Sequence, residues 1–151
     1  MPSRTRVLLA SLFALTNHLL PQISNANEAK QFQVWERDGR SASIHLGTPK
    51  LQPSGLVTSI YRLVAIDSSA STPEMFVGTF GAVCQPQNDS PVQVLHYRTV
   101  VQKFVGGRWV QDSDKSFNPP QELEPNVDRD FVEVPSTVAC GEAWRLVRSR
   151  Q

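Results

Sequence analysis

Cysteine, histidine and long apolar runs are scarce in this 151-residue chain, which has two Cys and three His. No stretch approaches the roughly 20 apolar residues that a membrane-spanning helix requires. The longest apolar run, Val7 to Thr16, sits behind Arg4 and Arg6 and is followed by a polar stretch with Ser24 and Ala26 at the minus-three and minus-one positions of a cleavage site. That is the layout of a secretory signal peptide, residues 1–26, rather than of an uncleaved anchor or a buried N-terminal helix. No Cys precedes residue 84, so no N-terminal Cys is offered to a lipid. The expectation is a soluble exported protein, periplasmic or secreted, with no integral membrane segment after cleavage.

Cleavage after Ala26 leaves residues 27–151, which suits a single domain. It also removes Arg4 and Arg6, taking the formal charge from +1 to −1, with the remaining charges scattered. Nucleic-acid binders carry a basic stripe, and none is present. Local catalytic signatures are absent too: there is no G-x-S-x-G elbow, phosphate-binding glycine loop or dinucleotide fingerprint. His45 and His96 lie outside any H-x-x-x-H spacing, and a catalytic zinc would need a third ligand that the sequence does not mark. Asp112, Asp114, Ser116 and Asn118 imitate a calcium loop, but Phe117 stands in place of its turn glycine and Leu123 in place of its closing Glu. No metal, cofactor or catalytic residue is expected.

What the chain does have is β texture. "SASIHL" places Ala42, Ile44 and Leu46 on one face and Ser41, Ser43 and His45 on the other, the alternation of a half-buried strand. Residues 55–66, 75–85, 91–105 and 108–111 are rich in β-branched and aromatic residues and are separated by turn formers. Short strands joined by short turns predict an antiparallel meander, a mainly β (α+β) fold with a single sheet. Residues 112–130, with three prolines and many charges, read as a long acidic loop.

In the tail, Ser136 or Thr137 could cap a helix on which Cys140, Trp144 and Val147 share a face, with Arg145, Arg148 and Arg150 near its end. The segment can also be read as a strand; the helix is preferred, although Gly141 would cost it about 1 kcal/mol relative to Ala. Export places Cys84 and Cys140 in an oxidising compartment, where an even count predicts a disulfide. On the chain-entropy model a bond closing 56 positions stabilises by about 4 kcal/mol, before strain and denatured-state structure reduce it.

The turn "FVGGRWVQD" carries the strongest binding expectation. A two-residue type I′ turn at Gly106-Gly107 would pair Val105 with Arg108 and Phe104 with Trp109. Strict alternation then puts Leu95, Tyr97, Val101, Val105 and Val110 on a core face. His96, Arg98, Gln102, Phe104, Trp109 and Gln111 fall on the other. Phe104, Trp109, Arg98 and His96 form the candidate ligand-binding surface for a protein or cell-envelope ligand, or for a second copy of the chain. A register shifted by one would instead bury both rings.

The order "IHLGTPKLQPSGLVTSIYRLVAI", "AVCQ", "VLHYRTVVQKFVGGRWVQDSD" and "FVEVPSTVAC", within residues 34–144, resembles the surface-adhesin protein E family of exported bacterial proteins. The resemblance implies an antiparallel sheet with a C-terminal helix held by a disulfide, and attachment to host extracellular proteins. The adhesin that names the family resembles a lipid-anchored protein, and this chain departs from it in having no Cys near the signal end, which points to a freely exported relative. The competing architecture is an immunoglobulin-like sandwich: Trp109 lies between the two Cys, but Val138 stands where such domains carry Tyr. The functional expectation is a non-enzymatic binding domain; the alternative is a small secreted hydrolase or enzyme inhibitor.

Overall fold

The computed structural model describes residues 30–86 and 89–151. The signal peptide expected at residues 1–26 lies outside the described residues.

Seven strands form one antiparallel sheet: β1 (Lys30–Arg37), β2 (Arg40–Leu46), β3 (Lys50–Leu51), β4 (Val57–Asp67), β5 (Glu74–Cys84), β6 (Pro91–Val105) and β7 (Arg108–Leu123). The spatial order is β1-β2-β4-β5-β6-β7, with the short β3 also paired to β4. A π-helical turn (Arg129–Glu133) leads into helix α1 (Val134–Arg148). This is the expected meander with a C-terminal helix, and Cys84 at the end of β5 is bonded to Cys140 in α1. With a helix covering one face of a single sheet, the immunoglobulin-like sandwich is excluded.

The alternation read in β2 holds across the sheet. Ala42, Ile44 and Leu46 lie opposite Ala65, Leu63 and Tyr61 of β4, which in turn face Phe76, Gly78 and Phe80 of β5. This face is covered by Ala139, Cys140, Ala143, Trp144 and Val147 of α1, and together they form one buried core. Ser41, Ser43 and His45 fall on the opposite, open face, which no helix among the described residues covers.

Four features differ from the expectations. First, residues 112–123 continue β7 and are not loop; only 124–128 connect it to the π-helical turn. The long β6 presents backbone donors and acceptors along its whole length, and β7 pairs with it from Val105 back to Val94, which satisfies those groups. The residues that read as loop are absorbed as irregularities. Asp112 has no partner between the Val101↔Ser113 and Gln102↔Gln111 pairs, and residues 117–120 oppose the single residue Tyr97. Prolines are tolerated there because β7 is an edge strand, and the Asn118-Pro119 bond is cis. The calcium-like spacing therefore runs along an extended strand.

Second, Tyr97 is a bulge residue on β6: His96 pairs with Phe80, whereas Arg98 pairs with the next residue, Thr79. The extra residue reverses the alternation. Val101 remains on the helix-covered face opposite Phe76, but Leu95 lies opposite Gly81 on the open face. The core face expected from strict alternation is thus wrong for Leu95 and Tyr97, and Val105 and Val110, although on the same side as Val101, are exposed rather than core.

Third, the helix begins before Ser136. Asp128 is the cap, accepting from the backbone N–H groups of Asp130 and Phe131, while the buried Ser136 hydroxyl donates to the Glu133 carbonyl.

Fourth, the sheet has a further strand, β1, ahead of the expected ones, and Asp38-Gly39 marks its turn into β2. Both residues have positive φ (50° and 73°), and Asp-Gly between two strand-like runs is the sequence signal of such a hairpin.

Candidate functional site

The β6–β7 tip has the expected register. Gly106 and Gly107 both have positive φ (60° and 77°), the backbone of a type I′ turn, and Val105 pairs with Arg108 and Phe104 with Trp109. The two rings meet edge to face, centroids 5.3 Å apart. Phe104 is 40% exposed and Trp109 half-buried. From Phe104 the open face continues to the buried Gln102 and, beyond Val100, to Arg98. The Arg98 guanidinium grips Asp114 with two bonds, Nε to Oδ1 at 2.9 Å and Nη2 to Oδ2 at 2.6 Å. This contact holds the Asp114 carboxyl below the usual carboxylate range and raises Arg98 above its own. A bidentate pair fixes the plane of the guanidinium, so Arg98 is an oriented group.

His96 does not join this surface. The Tyr97 bulge sends it to the helix-covered face, where its ring stacks on Phe80 at 4.5 Å and meets Phe117 at 4.6 Å. Its Nε2 lies 2.6 Å from the Thr99 hydroxyl. Burial lowers its pKa, and nearby Lys115 lowers it further against an opposing backbone hydrogen bond at Arg98. Of the four candidate residues, Phe104, Trp109 and Arg98 share one face. Cys84 and Cys140 are bonded to each other and are not reactive thiols.

Two concavities were not read from the sequence. On the open face, a cleft of about 340 Å³ is lined by Lys50, Thr58, Ile60, Gly81, Leu95 and Tyr97, among others. Gly81 makes it possible: a Cβ there would lie 3.1 Å from the Tyr97 ring and 3.2 Å from Ile60. On the helix-covered face, beyond the start of α1, a second cleft of about 300 Å³ opens between Trp35, Phe76 and Phe131. Its walls come from β1, β2, β4, β5, β6 and the π-helical turn. No local motif announces either one, because neighbours in space are far apart in the chain.

Among the described residues, no group of three or more His, Cys, Asp or Glu is placed to hold a metal ion, and no helix is long and apolar enough to cross a membrane. No protein-family model, curated protein or solved structure matches the chain.

Proposed function

We propose that the chain is an exported, non-enzymatic β-sheet module that binds a protein or cell-envelope ligand through the open face of the β6–β7 hairpin. The observation that carries this reading is the Phe104–Trp109 pair, half-open to solvent at the end of a long hairpin. Trp and Arg are the residue types that most often dominate binding energy at protein interfaces. Here an oriented Arg98 stands on the same face as the aromatic pair. The exposed Val105 and Val110 lie on the reverse side of the same tip and are not part of this surface. The resemblance to the surface-adhesin protein E family agrees with such a role.

The test is a comparison of wild-type protein with Trp109→Ala and Phe104→Ala in recovery of partners from cell-surface and envelope fractions. Both variants should remain within about 1 kcal/mol of wild-type stability, the scale of a cross-strand pair, and lose a partner that the wild type retains. A stability loss of roughly 3 to 5 kcal/mol for Trp109→Ala would mark a core ring, and turnover of an ester or glycoside substrate by the purified protein would replace binding with catalysis.

A further inference from the structure

The cleft on the helix-covered face has a composition unlike the hairpin tip. Its floor is apolar and aromatic: Ala65, Phe76 and Val101 from the sheet, Phe131 from the π-helical turn, Trp35 from β1. The three rings brace one another edge to face, Trp35 to Phe131 at 6.2 Å and Phe76 to Phe131 at 5.3 Å. The Trp35 indole N–H donates to the Asp130 carbonyl at 3.0 Å, so the π-helical turn is pinned to the sheet edge. π-Helical distortions are rare and recur at functional sites.

Around the rim stand two arginines and three carboxylates: Arg37, Arg40, Asp67, Glu74 and Asp130. Both arginines are committed. Arg37 pairs with Asp130 while its guanidinium lies 5.2 Å from the Trp35 ring centre, and Arg40 reaches Asp67 at 3.2 Å. Glu74 is the least neutralised group. Its contact with Lys103 is long, 3.9 Å, and Lys103 lies closer to Asp112, 3.4 Å. The lining is therefore net negative by one charge and walled by aromatic rings, and one of them, Trp35, already carries a cation against its face. Aromatic faces attract cations electrostatically, most strongly where water is partly excluded.

We propose that this cleft is a binding site for an organic cation, a protonated amine or guanidinium on a short apolar stem, whose charge meets Glu74 and whose stem lies on Phe76 and Val101. The site is separate from the open-face hairpin and stands or falls independently of it.

The disulfide-bonded protein, carrying Trp109→Phe to simplify the indole region, is titrated with capped arginine amide, capped lysine amide and putrescine, with capped glutamate amide as control. The reporter is the indole N–H resonance of Trp35, identified by its loss in Trp35→Phe. The cations should shift it saturably and the glutamate amide should not. Glu74→Gln, at an exposed side chain, should weaken cation binding about five-fold, the scale of one exposed cation–aromatic or ionic contact. Phe76→Leu should weaken it similarly; if that variant fails to fold, Glu74→Gln decides alone. Saturation by the capped amino acids only would identify the source as a basic side chain of a partner chain, and equal saturation by putrescine a free amine. No shift at 50-fold excess over protein in the millimolar range, an equal shift with the glutamate amide, or indifference to Glu74→Gln overturns the proposal.

Discussion

At the scale of single residues, two histidines link this fold to pH. His45 sits on the open face opposite Arg62, and burial, followed by the Arg62 charge, lowers its pKa from 6.5. His96 is lowered from the same value chiefly by burial between rings. A group whose pKa is lower in the folded state binds more protons when unfolded, so stability rises with pH between the two values. The contribution is complete above about pH 6.5 and is lost as pH falls towards the folded values. Urea midpoints should accordingly drop between pH 7.5 and pH 5.5, and a His45→Gln, His96→Phe double variant should flatten that slope. An unchanged slope would mean that neither ring is desolvated in solution. The low pKa values of Asp67 and Asp114, set first by their side-chain hydrogen bonds to Ser69 and Arg98, act in the same direction only at more acidic pH.

At the scale of elements, β5 owes its packing to Gly78. The rings of Phe76 and Phe80 close over it from either side, and a Cβ there would lie 2.8 Å and 2.4 Å from their atoms. Gly78→Ala should force both rings out of place and cost roughly 1 to 3 kcal/mol, measurable as a lower denaturation midpoint; full stability would show that the rings repack freely. Elements differ in how plainly their residues mark them. Gly106-Gly107 gave the turn type and register of its hairpin, because positive φ at both positions leaves little choice. The face carried by His96 was misread because one inserted residue, Tyr97, reverses an alternation that looks uninterrupted in the letters. The length of β7 was missed for a related reason: prolines and charges mark a loop in the sequence, yet an edge strand tolerates both when its partner needs pairing.

At the scale of the whole molecule, the architecture was legible: strand-like runs separated by short turns leave few economical topologies, and two cysteines leave one pairing. The cleft around Trp35, Phe76 and Phe131 was not, since its lining spans residues 35 to 131 and exists only once the sheet is formed and the π-helical turn docks on it. The same disulfide has a consequence for survival in an environment containing proteases. The bond from Cys84 to Cys140 makes β6, the exposed Gly106-Gly107 tip, β7 and the π-helical turn one closed covalent ring. A cut at the exposed tip would open the ring without releasing a fragment. Limited proteolysis should give a nicked protein that runs as one species on a non-reducing gel and as two after reduction, and the Cys84→Ser, Cys140→Ser variant should separate without reductant. The tip can therefore be damaged many times in a population of molecules while each keeps its two halves in register.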